Sequence, residues 1–133
     1  MDRLFLDANI LFSAAYRANA GLAALWKLRN VILCSSRYAV GEARVNLETE
    51  DQRHRLMRLS GALHWFEGSS GKLPRGISLP DKDVPILLAA IEARADYLLT
   101  GDIRHFGMHF GKKILGTIIV HPAQYLEIRN RQH

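Results

Sequence analysis

Four short apolar runs, RLFLD at residues 3–7, VILCS at 31–35, YLLT at 97–100 and TIIV at 117–120, constrain this chain more than any other feature. Each is long enough for one buried strand and too short for a core helix, and β-branched or large aliphatic residues dominate them. The stretches between them read as helices: about Asn9 to Ala18, a second from Gly21 to Arg29, RYAVGEARVNL behind Ser36 as N-cap, and Glu50 to Trp65. In this last one Leu56, Leu59, Leu63 and Phe66 recur at helical spacing. Gly68 to Pro80 (GSSGKLPRGISLP) reads as a loop carrying a short strand at Ile77 to Leu79. VPILLAAIEARA opens behind Asp81 and Asp83, with Pro85 tolerated in the first turn, and Pro122 starts a terminal helix through AQYLEIR. Short strands alternating with helices predict an α/β chain with a mainly parallel sheet covered on both faces.

The 133 residues suit one domain, 1–133, able to bury its own core. Cys34 is the single cysteine, so an internal disulfide and a cysteine-built zinc site are excluded, and its place in VILC suits a small buried hydrophobe. No apolar run reaches the roughly 18 residues that span a bilayer. Asp7 interrupts the first apolar stretch and no cleavage site follows it cleanly, so a cytoplasmic protein with no membrane partner is expected. The net charge of +5 favours a polyanionic partner.

In a parallel sheet, ligands bind beyond the carboxyl ends of the strands. Asp7 ends the first strand and Asp102 lies just past YLLT, so both point to one edge. Asp83 stands at the start of a helix entering that neighbourhood, and Glu42 on the helix that follows the second strand. Taken singly, each acid has a plain structural use as a helix cap or a solvated charge. Taken together, clustered carboxylates raise one another's pKa unless a cation neutralises them. Mg²⁺ or Mn²⁺ suits oxygen ligands and phosphate substrates, and such ions hydrolyse phosphodiesters without a protein nucleophile.

These motifs resemble the PIN domain family, and in particular its VapC-like bacterial ribonucleases. LFLDANILFSA is similar to the family's first motif, with Asp7 as its first acid and Asn9 two positions on. YAVGEARVNL resembles the second motif and maps its acid to Glu42. DKDVPILLAAIEARADYLLTGDIRHF resembles the third and fourth, giving Asp83 before the apolar helix and Asp102 within T-G-D, with Thr100 in a supporting place. Asp81 competes with Asp83 for the third position; the distance to ADYLLT fits the family better from Asp83.

The resemblance implies a three-layer α/β/α sandwich and Mg²⁺- or Mn²⁺-dependent cleavage of RNA. It also implies the toxin half of a toxin–antitoxin pair, an antitoxin protein as partner, and a homodimer. Asp7, Glu42, Asp83 and Asp102 would hold metal, with Asn9 and Thr100 orienting the carboxylates. Arg37, Arg44, Arg104, Lys112 and Lys113 are candidate phosphate contacts.

Other readings are weaker. His105 and His109 have the i, i+4 spacing of a helical zinc pair, but Gly107 between them weakens the helix and HEXXH is absent. Trp26, Trp65 and Phe66 suit core or oligomer contacts better than base stacking. GSSGK lacks the strand and helix of a P-loop. A PIN-like binding or scaffold module without useful turnover is the alternative function. A phosphoacceptor domain ranks below it, because that class expects adjacent acids at the first strand and a lysine at the last, where His121 and Pro122 follow TIIV.

Overall fold

The computed structural model describes residues 1–68 and 71–132. Its strands are β1 (Asp2–Leu6), β2 (Val31–Ser35), β3 (His64–Trp65), β4 (Tyr97–Leu99), β5 (Lys113–Ile114) and β6 (Thr117–Val120). Its α-helices are α1 (Ala8–Ala15), α2 (Arg37–Asn46), α3 (Glu50–Ser60), α4 (Val84–Glu92), α5 (Ile103–Phe106) and α6 (Pro122–Arg131). The six strands form one sheet in the order β3-β2-β1-β4-β6-β5, parallel throughout except for the β5–β6 pair. Helices flank it in a three-layer α/β/α sandwich: α1, α2 and α3 pack on one another, while α4 packs against β2 and β4. No helix among the described residues is long and apolar enough to cross a membrane.

The sheet's core explains why the central strands are apolar through their middles. The register aligns Cys34, Phe5, Leu98 and Ile119 in one row across four strands, and all four are fully buried. A strand sealed on both faces can tolerate only apolar side chains. Two steps further along the strands, that constraint ends. There the chain leaves β1 at Asp7 and β4 at Thr100, and the backbone bonds Asp7 N–H to Leu99 O (3.1 Å) and Thr100 N–H to Val120 O (3.1 Å) continue the parallel ladder past the strands themselves. Asp7 and Thr100 are thereby held side by side at the carboxyl edge.

Local signals set most helix starts. Ser36 caps α2 by accepting from Ala39 N–H, and Thr49 and Gln52 form a capping box at α3. His121 caps α6 through Nδ1, which accepts from Ala123 N–H. The structure departs from the sequence expectation in several places, the first being α1, which ends at Ala15 instead of Ala18. The Gly21 segment is a 3-10 helix (Gly21–Lys27). Helix α3 stops at Ser60, with Gly61 as its C-cap, and His64–Trp65 pairs with β2 as an edge strand instead of extending the helix. No strand forms at Ile77–Leu79 among the described residues. Strand β5 joins β6 through a two-residue turn at Leu115 and Gly116, both with positive φ (48° and 93°). That is the backbone of a type I′ hairpin, natural for glycine and strained for leucine. The expected loop from Gly68 to Pro80 includes Ser69 and Ser70, which lie outside the described residues, as does part of GSSGK.

Candidate metal centre

Asp7 sits where β1 hands over to α1. Its Oδ1 accepts from Ala8 N–H (2.6 Å), and its Oδ2 accepts from the Thr100 hydroxyl (2.7 Å) and from Asn9 Nδ2 (3.0 Å). Asn9 turns its other end to the opposite side of the junction, where Oδ1 accepts from Gly101 N–H (2.8 Å). Thr100 Oγ1 accepts from Asp102 N–H (3.1 Å) and from Asn9 Nδ2 (3.3 Å). Residues about ninety positions apart are thus tied into one closed network that fixes both the Asp7 carboxylate and the backbone leading to Asp102.

Asp83 arrives differently. It precedes α4 at the N-cap position, yet its side chain makes no capping hydrogen bond. Pro85 in the first turn has no N–H to offer, and the carboxylate faces α5. The backbone before it is anchored by Tyr38 of α2, whose hydroxyl donates to Lys82 O (2.8 Å). His105 meets Asp83 from α5: its Nδ1 lies 2.7 Å from Asp83 Oδ2 and 2.8 Å from Asp102 Oδ2. The short α5 keeps that geometry because Asp102 caps it, with Oδ1 accepting from His105 N–H (3.1 Å).

All four expected acids line one cavity of about 370 Å³, together with Asn9, Phe12, Tyr38 and Lys82. Asp81 is exposed, whereas Asp83 is buried with 6% of its surface exposed. Glu42 enters the cavity from α2. The five proposed phosphate contacts, Arg37, Arg44, Arg104, Lys112 and Lys113, are exposed and none lines the cavity. Lys82 and His105 carry the site's basic groups and were not anticipated as site residues. Each stands beside an expected acid, Lys82 next to Asp83 and His105 three residues after Asp102, a spacing that faces one side of a helical turn.

The other candidates have structural roles. His109 is buried, with Nε2 3.3 Å from Ser78 O, and so does not pair with His105 at the acids. Trp26 donates to Leu59 O (2.9 Å), and the Phe66 ring lies under the Arg3 guanidinium at 5.5 Å. Trp65 is half-exposed on edge strand β3. Cys34 is fully buried in β2, and burial raises its thiol pKa.

The electrostatics of the cavity are those of a site short of positive charge. Burial pushes the Asp7 pKa from 3.8 up to about 6; the bonds from Thr100 and Ala8 oppose the rise, and the charges of Asp83 and Asp102 add to it. Burial also raises Asp83, against the pull of His105. The Tyr38 hydroxyl is raised by burial and by Glu42 beside it, so it stays protonated at neutral pH. A divalent cation answers these costs at once. The donor set fits one: carboxylate oxygens that accept hydrogen bonds at their backs, and buried donor atoms of Asp83 and His105 without directed partners.

A mostly parallel sheet with acids gathered beyond its carboxyl edge defines a class of metal-supported α/β domains. Within that class the chain belongs to the PIN domain family, whose model matches residues 3–104. Members of the family are typically nucleases and generally use divalent metal. Among solved structures, the chain is similar to the crystal structure of VapBC2 from Rickettsia felis bound to a DNA fragment from their promoter. The TM-score is 0.67 and the identity 19%, over 90% of this chain and 98% of that one. No curated protein matches the sequence significantly.

Proposed function

We propose that the protein is a Mg²⁺- or Mn²⁺-dependent endoribonuclease and the toxin partner of an antitoxin protein. The observation that carries this reading is the convergence of Asp7, Glu42, Asp83 and Asp102 from four separate elements on one cavity. Asp83 and Asp102 offer oxygens close to one another, and Asp7 and Glu42 line the same cavity. Asn9 and Thr100 hold the Asp7 carboxylate in one orientation. When bound, the ion polarises a phosphodiester and lowers the pKa of water.

The chain's own residues supply the rest. Among the described residues no serine or cysteine lines the cavity, and in this reading water is the nucleophile. Glu42, which lines the cavity from α2, takes a proton from that water in the same reading. Lys82, exposed at the rim, draws the substrate's phosphates to the opening. The basic surface outside the acidic cavity favours a long polyanion such as RNA over a small phosphate ester. The fold likeness to the VapBC2 structure supports an antitoxin partner, while the homodimer and the cytoplasmic setting rest on the family resemblance alone.

Cleavage of single-stranded RNA by the native chain and by Asp7→Asn, each with Mg²⁺ or Mn²⁺, tests the proposal. The native chain is expected to cut and the variant to bind without cutting. Binding by both with cleavage by neither under any divalent ion would leave a nucleic-acid-binding module in its place.

A further inference from the structure

The acids of the cavity do not share one environment. Both Asp7 oxygens accept hydrogen bonds from the protein. By contrast, Asp83 Oδ2 and His105 Nδ1 are both buried, and neither has a properly directed hydrogen-bond partner among the described residues. They nevertheless lie 2.7 Å apart, and His105 Nδ1 lies 2.8 Å from Asp102 Oδ2. The three groups thus stand within ion-pair distance, and no directed hydrogen bond occupies Asp83 Oδ2 or His105 Nδ1, which leaves both atoms open to a shared ligand. Donor atoms about 3 Å apart are what bonds of about 2.1 Å to one six-coordinate ion produce. Among the described residues, Asp83, Asp102 and His105 offer donor atoms that all lie within 4.8 Å of one another.

We propose that His105 binds the divalent ion directly through Nδ1, beside Asp83 and Asp102, making a mixed nitrogen–oxygen centre that prefers Mn²⁺ to Mg²⁺. The proposal rests on the metal-dependent reading above and deepens it. Imidazole nitrogen favours transition ions, whereas Mg²⁺ keeps to oxygen and holds its waters tightly. The local structure supports a fixed ligand: Asp102 caps α5 on the His105 N–H, and Phe106 next to it is fully buried, so the ring is carried on an anchored turn. The rival role is a protonated His105 serving as counter-ion to the two acids, which an arriving metal would displace.

Titrating the metal-free full chain with Mn²⁺, followed by electron paramagnetic resonance, separates the two. Native protein is expected to bind Mn²⁺ and to show the echo modulation of a directly bonded ¹⁴N nucleus, with the modulation replaced by its ¹⁵N counterpart when histidine is ¹⁵N-labelled. His105→Gln is expected to lose that modulation and to bind Mn²⁺ about tenfold or more weakly, while its Mg²⁺ affinity changes much less. Mn²⁺ bound to native protein without nitrogen modulation overturns the proposal and leaves the acidic metal site standing. A native chain that binds no Mn²⁺ overturns both. The labelling measurement uses native protein alone, so the outcome does not depend on the variant's folding.

Discussion

The two corners of the acidic cavity are built on opposite principles. Around Asp7 every polar atom has a partner: the carboxylate, Asn9, Thr100 and the backbone at Gly101 and Asp102 close on one another. Around Asp83, two buried donor atoms are brought together without a directed bond between them. The first corner costs little beyond burial of a charge and gives rigidity in return. The second is left unsatisfied by the protein itself, and an unsatisfied buried polar group costs about 1–3 kcal/mol. The contrast teaches that one side of the site is fixed by hydrogen bonds, whereas the other is held by the close approach of acids and an imidazole, the side to which the proposal assigns metal.

The largest effect should come from removing the side assigned to metal. Asp83→Asn is expected to lower RNA cleavage by more than about 100-fold, beyond the loss for a group that only orients a ligand. A single-turnover assay at saturating Mn²⁺ checks this; near-native cleavage would mean that the Asp83 corner is not where metal acts.

Next comes pH. Asp7 has a folded-state pKa of about 6 against 3.8 in the unfolded chain, so the folded state binds the extra proton between those values. The contribution of Asp7 to the stability of the metal-free chain is therefore full below about pH 4 and is lost as pH rises through 6, a fall of about 3 kcal/mol. Asp83, raised as well, acts in the same direction. Urea melts in chelator from pH 4.5 to 7.5 measure the fall, and saturating Mn²⁺ should abolish it.

Breaking the hydrogen-bonded corner should be milder for chemistry. Thr100→Val takes the donor from Asp7 Oδ2 and the acceptor from Asp102 N–H. About 1–3 kcal/mol of stability and a 10- to 100-fold loss of metal affinity or cleavage are expected. Retained metal affinity with lost stability would make Thr100 structural alone. The smallest effect belongs to Asp81→Asn. This exposed acid two residues from Asp83 should change stability by less than about 0.5 kcal/mol and leave cleavage intact. A large loss there would reassign the third acid.

Much of this arrangement was legible in the sequence, for a physical reason. RLFLD, VILCS, YLLT and TIIV are buried on both faces, so their composition alone marks them as central strands, and their order places Asp7 and Asp102 at one edge. The edge strands were not legible, because His64–Trp65 and Lys113–Ile114 are two residues each and exist through pairing instead of any local preference. Helix α3 was read too long for a related reason: Leu63 and Phe66 keep helical spacing from Leu56, yet they reach the core from the turn and the segment after Gly61.

At the site, acids stood out because a carboxylate after an apolar strand has few uses. His105 was hidden by its apparent pairing with His109, a relation along one helix that the break at Gly107 prevents. Its true partners, Asp83 and Asp102, are a helix start and a strand end that meet only in three dimensions.

The hydrogen bond between Asp7 and Thr100 joins residues 93 positions apart in the chain. Such contacts form late, because the loop between them must close first. A partly folded or nascent chain therefore possesses every acid and no centre. The grouping of Asp7 with Asp102 depends on the pairing of β1 with β4, which brings the two strand ends to one edge.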